Sequence, residues 1–265
     1  MLILLPPSET KRQGGAGTFA PERLRHHDAL GEARASVRTA LEQLSEDPVA
    51  AAKALKLGVK NGAEREHNLV LRDSGVLPAI ERYTGVLYDA LDAESLDASA
   101  RDWLDAHVAV QSALFGLIGA GEEIPAYRLS AGSRLPQLGA PLKRVWGRAH
   151  AVLPWEDAGL VLDLRSKDYA ALAPVPAGRG WFLHVAQRGE DGAVRALNHF
   201  NKAAKGDLVR RLARSGAAFS EVAEVLDWAS SVDLELTADP TARELTLITE
   251  LGASGAASAR AARAR

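Results

Sequence analysis

The sequence predicts an α/β fold in which a mixed β-sheet is surrounded by helices. Two observations carry that expectation: short apolar, β-branched runs alternate with helical patterns, and one pair of runs brackets an Asp-Gly turn signal. A length of 265 residues with 47% hydrophobic side chains is enough for a substantial core.

Residues 1–5 read as a short buried strand, and residues 6–17, rich in Pro, Gly, Ser and Lys, as the loop at its carboxyl end. In α/β sheets ligands gather at that end. Residues 22–57 carry Leu30, Val37, Leu41 and Leu44 at helical spacing, which predicts one or two helices broken near Asp47-Pro48. The clearest amphipathic pattern runs over residues 101–118, where Trp103, Leu104, Val108, Gln111 and Phe115 share a face and Gly119-Ala120-Gly121 stops the helix. The letters Leu117-Ile118-Gly119-Ala120-Gly121 also match the glycine hairpin of a helix-hairpin-helix element.

Further on, residues 159–164 read as a strand delivering Arg165, Ser166 and Lys167 at its end. Residues 181–187 and 194–200 form a hairpin around Asp191-Gly192; a two-residue turn there would set His184 opposite His199. Helices are expected over 201–214 and 219–230, and an alternating strand over 244–250. The chain thus reads as one domain over 1–251, followed by an Ala/Arg-rich tail over 252–265.

The absence of cysteine excludes disulfides, thiol catalysis and Cys-ligated metal, and fits a cytoplasmic protein. No stretch is long and apolar enough for a membrane span, and no histidine spacing makes a zinc signature, so neither a membrane partner, a metal nor a cofactor is expected. Serine-hydrolase, P-loop and dinucleotide-binding motifs are missing too.

A formal charge of −2 hides a polarised chain. Residues 124–155 contain no acid but hold Arg128, Arg134, Lys143, Arg144 and Arg148; a second basic run holds Lys202, Lys205, Arg210, Arg211 and Arg214 around Asp207. Convergence of these runs on one cleft would attract a polyanion.

Three segments carry candidate chemistry. Ser8, Glu9, Thr10 and Lys11 on the first strand's loop can hold an anion and place a proton donor, or be a plain solvated loop. Lys202 and Lys205, three apart at a helix start beside Gly206, can hold an anion, or can line the helix's solvent side. Tyr127 can stack on a base while Arg128 and Arg134 contact phosphate, or can be a core residue.

In order and spacing, these pieces resemble the YaaA-type peroxide-stress proteins over residues 1–251. The resemblance rests on the opening strand with Pro7-Ser8-Glu9-Thr10-Lys11; on Tyr83-Thr84-Gly85-Val86-Leu87-Tyr88, which matches a Tyr-x-Gly-x-x-Tyr segment; and on Ser112 to Gly116. Pro125-Ala126-Tyr127-Arg128-Leu129, Gly132, Arg134-Leu135 and Trp146-Gly147 follow. Leu164-Arg165-Ser166-Lys167-Asp168-Tyr169 and the lysine-rich stretch 201–206 complete it. The chain departs from the family at Asp168, where Glu is commoner, and at Asp207.

That resemblance implies a role in defence against hydrogen peroxide, by limiting free iron and its damage to DNA, and non-specific DNA binding through a basic cleft. Arg128, Arg134, Ser166, Lys202, Lys205 and Gly206 would line the cleft, with Ser8 and Lys11 nearby and Arg210 in the same basic run. The alternative is an enzyme acting on a small anionic or nucleotide-like substrate there, with Ser166 or Tyr169 assisting proton transfer. A third is a protein-interaction or biosynthetic-pathway component that has kept the fold and changed its ligand.

Overall fold

A computed structural model of the chain describes residues 1–59, 61–188, 194–196 and 201–249. Its centre is strand β1 (Leu2–Leu5), paired in parallel with β3 (Val108–Ser112) on one side and β6 (Val161–Asp163) on the other. The parallel run continues through β7 (Gly180–Arg188) to β10 (Glu244–Thr249). Antiparallel strands close both edges: β4 (Gly116–Gly119) beside β3, and β9 (Glu235–Asp239) beside β10. A short β8 (Val194–Ala196) pairs antiparallel with the far end of β7, beyond the reach of β6. The sheet is mixed and flanked by helices, as its alternating pattern predicts.

Successive side chains of β1 turn to opposite faces, as the pleat requires. Ile3 and Leu5 join Val108, Val110 and Leu162 in the larger core, whereas Leu4 joins Ala109, Val161, Leu30 and Trp155 in a smaller one. Helix α1 (His27–Glu46) ends at Asp47, whose carboxylate caps α2 (Pro48–Ala54) by accepting from the amides of Val49 and Ala50. The break therefore falls where Asp47-Pro48 predicts it. Short helices α3 (Arg65–Leu69), α4 (Ala79–Arg82) and α5 (Val86–Leu91) follow, with a small ribbon of β2 (Leu77–Pro78) and β5 (Glu123–Ile124).

The expected helix over 101–118 stops early. Helix α6 (Ala98–His107) gives way to β3, all five residues of which are buried, and then to the β3–β4 hairpin. Leu117 to Gly119 are strand residues, so the glycine letters belong to a sheet hairpin and not to a helix-hairpin-helix element. Propensity yields here to a place in the sheet between β1 and β4.

Helix α7 (Leu142–His150) precedes β6, α8 (Lys167–Leu172) follows it, and α9 (Asn201–Ser215) and α10 (Val222–Ser231) lie before β9. Helix α9 packs on α5 through Gly206, where a β-carbon would lie 2.1 Å from the carbonyl oxygen of Leu87. Of the expected hairpin, Ala186 pairs with Ala196, one residue away from the register that would set His184 opposite His199. His199 and the Asp191-Gly192 turn lie outside the described residues, as does the tail 252–265. Among the described residues no helix is long and apolar enough to cross a membrane.

Candidate functional site

All five parallel strands end on one edge of the sheet, and the loop leaving β1 crosses it. Pro6-Pro7 ends the strand, and the Tyr88 hydroxyl donates to the carbonyl of Pro6 at 2.8 Å. Downstream the loop is held by Arg82. That fully buried guanidinium donates to the carbonyls of Arg12, Gly14 (2.9 Å), Gly75 (2.9 Å) and Ile124 (3.0 Å). Such anchoring fixes Lys11 between the two ends.

The Lys11 ammonium donates to the carbonyls of Ser8 at 3.0 Å and Glu9 at 3.2 Å, and lies 4.1 Å from the ring centre of Tyr127. Its partners are dipoles and a ring face, with no carboxylate in ion-pair reach among the described residues. Burial lowers its pKa to about 7; the charges of Arg128 and Arg82 push the same way, and Glu9 and Glu64 push back. Both protonation states are therefore populated near neutral pH.

Beneath it runs a fixed chain of hydroxyls. Ser112 Oγ accepts from the amides of Leu114 (3.1 Å) and Phe115 (3.0 Å), which uses both its lone pairs. Its hydrogen accordingly goes to the Tyr127 oxygen at 2.8 Å, and Tyr127 in turn donates to Tyr83 at 2.8 Å. Burial raises the pKa of Tyr83, Tyr88, Tyr127 and Tyr169, so all four stay neutral.

Arg128 forms the other wall. One guanidinium nitrogen lies 3.1 Å from both Glu9 Oε2 and Glu64 Oε2, while its Nε is buried without a hydrogen-bond acceptor among the described residues. Asn68, fully buried, clamps the Arg128 backbone from both sides, accepting from its amide at 2.8 Å and donating to its carbonyl at 3.1 Å. Glu9 thus touches both cations, Lys11 through its carbonyl and Arg128 through its carboxylate. Nearby, the hydroxyls of Ser8, Thr10 and Thr84 meet at 3.3 and 3.0 Å. Gly85, at a φ of +96° and with space for a β-carbon only 3.4 Å from Ser8 Oγ, lets the next helix begin against them.

Sequence reasoning brings Ser8, Lys11, Tyr127 and Arg128 to this place but misses Asn68, Glu64 and Tyr83. Asn68 and Glu64 sit in a helical stretch with no motif around them; Tyr83 stood in the quoted Tyr-x-Gly-x-x-Tyr segment, which could have marked it.

The remaining candidates separate. Ser166 is exposed and spends its oxygen as the N-cap of α8, accepting from the Tyr169 amide. The Tyr169 hydroxyl accepts from the Ala131 amide at 3.3 Å, and burial raises its pKa so that it stays neutral. Lys202 is exposed, yet Lys205 is buried beneath β6, donating to the carbonyl of Leu164 at 3.0 Å, so the two do not share a face. Burial lowers the Lys205 pKa to about 8. Gly206 serves helix packing, and Arg210 donates to the carbonyls of Leu91 and Asp92 at 2.8 Å, closing the end of α5. Arg134 is exposed on the loop before α7. His184 lies 3.1 Å from Glu244 on the neighbouring strand. Deeper in the sheet, the buried Arg165 and Asp163 form a two-pronged ion pair at 2.8 and 2.7 Å. Two cavities, of about 520 and 300 Å³, open instead near the amino ends of the strands, beside His107 and Trp181.

The model of the family described as "Peroxide stress protein YaaA" matches residues 1–233. A UPF0246 protein of Corynebacterium glutamicum is 39% identical over 252 residues, covering 94% of this chain and all of its own length. A UPF0246 protein of Corynebacterium efficiens is 40% identical over the same shares, and one of Streptomyces coelicolor is 39% identical over 92% of this chain and 94% of its own. With the family model matching residues 1–233 and relatives near 40% identical over most of both chains, this protein belongs to the peroxide stress protein YaaA family.

Proposed function

We propose that this cytoplasmic chain serves the peroxide-stress response by taking a small anionic or nucleotide-like ligand at the Lys11–Arg128 site, where Lys11 exchanges a proton. The observation that carries this reading is the setting of Lys11: a cation fixed by two carbonyls and a tyrosine face, titrating near neutrality, next to a guanidinium. Glu9 is about half exposed, at 47%, so an incoming anion can displace its carboxylate from Arg128. Calorimetric titration with inorganic phosphate and with AMP tests it. Saturable binding that is lost in Lys11→Met and strengthened in Glu9→Gln is the expected result; binding indifferent to both substitutions would refute the reading.

A second reading, non-specific binding of DNA, has its own support. Lys143, Arg144 and Arg148 on α7 are exposed, together with Arg134, in a stretch without acids, and Arg144 and Arg148 are one turn apart. The basic cleft expected from the sequence is weakened, because Lys205, Gly206 and Arg210 are spent on packing and on backbone carbonyls. Fluorescence anisotropy with duplex and single-stranded oligonucleotides, read at low and raised salt, separates the two. DNA affinity that falls steeply with salt and disappears on replacing Lys143, Arg144 and Arg148 by Gln would favour the DNA reading.

A further inference from the structure

Lysines bound by ion pairs stay protonated, and lysines on the surface are about one part in a thousand free amine near neutral pH. Lys11 is neither. Its hydrogen-bond partners are two main-chain carbonyls, its Nζ lies over the rings of Tyr127 and Tyr83, and the residues beside it, Glu9 and Thr10, are exposed. Lys11 itself is half-buried, with those two exposed residues beside it at the rim of the loop. Arg128 is close by, joined to the same residue Glu9, with an Nε that has no acceptor among the described residues. An amine beside a planar guanidinium matches a ligand whose electrophilic carbonyl adjoins a carboxylate.

We propose that Lys11 is a nucleophile that forms an imine with a small 2-oxo acid whose carboxylate is held at Arg128. The proposal rests on the anion-site reading above. In the step, the Lys11 nitrogen lone pair attacks the carbonyl carbon and forms the C–N bond. The carbonyl oxygen takes up both amine protons and leaves as water, giving a C=N bond with no net change of oxidation state. Burial beside Tyr127 and Tyr83, which are neutral and hydrogen-bonded to each other, disfavours the ammonium, so a share of Lys11 is free amine near neutral pH.

Lys205 is the internal comparison. Its pKa is also depressed, but it is 7% exposed, sealed under the carbonyl of Leu164, and the charge of Asp163 acts on it. Geometry, not acidity alone, therefore separates the two lysines.

The test is to incubate the full chain with pyruvate, reduce with borohydride, and locate the adduct by peptide mass spectrometry, with pyruvate binding measured in parallel by calorimetry. The expected result is one reduced pyruvate per chain, at Lys11 at least roughly ten-fold above any other lysine, including Lys205. It should be absent in Lys11→Arg and reduced in Arg128→Gln. Both variants are checked by circular dichroism, and Lys11→Met replaces any that fails to fold. An adduct spread evenly over surface lysines overturns the proposal. Pyruvate bound without a Lys11 adduct overturns the imine and leaves the anion site standing. No binding of pyruvate, phosphate or AMP overturns both.

Discussion

Gly206 and Leu87 are in such close contact that the second helix face has no room for a methyl group: a β-carbon on Gly206 would meet the Leu87 carbonyl oxygen at 2.1 Å, the Ala90 β-carbon at 3.0 Å and the Leu91 amide at 3.0 Å. Backbone cannot yield as a flexible side chain does. Gly206→Ala is expected to lower stability by about 2–4 kcal/mol, despite alanine's better helix propensity. Urea unfolding checks it, and an unchanged midpoint would mean that the helices are farther apart than described.

Lys11 makes stability depend on pH in a defined window. Its folded pKa of about 7 is below the unfolded value of 10.5, so below about pH 7 both states hold the proton and the cost of burying the charge is fully present. As pH rises from about 7 toward 10.5, the folded state has released its proton while the unfolded state still holds one, and stability rises. Relative to Lys11→Met, the native chain should gain about 2–4 kcal/mol across that window. Parallel denaturation curves of the two proteins measure it; parallel pH profiles would contradict the assignment.

Tyr127→Phe removes the middle of the hydroxyl chain and leaves the Tyr83 hydroxyl and the Ser112 hydrogen buried without their partner. A loss of about 1–3 kcal/mol is expected. Replacing Tyr83 instead should cost less, because Tyr127 would keep its bond to Ser112. Thermal unfolding of the two variants ranks them.

Asp163→Asn leaves Arg165 as an uncompensated cation, 0% exposed, retaining only the Ala173 carbonyl among its described partners. A cost of about 3–5 kcal/mol is expected, read by the same melts. Lys205 loses the neighbouring charge that raises its pKa, so its pKa should fall further, which lysine-selective NMR titration reports.

Much of this was legible in the letters. Apolar runs ended by Pro6-Pro7 and by Arg165-Ser166 predict strands that deliver polar residues to one edge, and β1 and β6 do so. The Asp47-Pro48 break appears where expected because capping is a local property. What was not legible depends on distant partners. Trp103, Leu104, Val108, Gln111 and Phe115 fit a helix by spacing, but β1 and β4 recruit residues 108–112 into the sheet. At the site, charge alone grouped Lys202 with Lys205 and Arg210 with both. Burial separates them, since an ammonium beneath a strand end and a guanidinium closing α5 are no longer free for a polyanion. Asn68 could not be foreseen at all, because its role is a contact with a backbone 60 residues away.

The position of β1 also governs how the molecule is made. Ile3 pairs with Val108 and Leu4 with Asp163, so β1 waits for chain synthesized long after it. Such distant pairings must pay their loop entropy before any contact repays it. Until β6 emerges, the apolar residues Leu2 to Leu5 lack the partner on one side that completes the sheet, a period of aggregation risk for a strand of this composition. The Lys11 site, hung on the end of that strand, is consequently assembled late in folding, and a nascent chain stalled before residue 161 would carry Lys11, Tyr83 and Tyr127 but not the β6 partner that completes the strand positioning them.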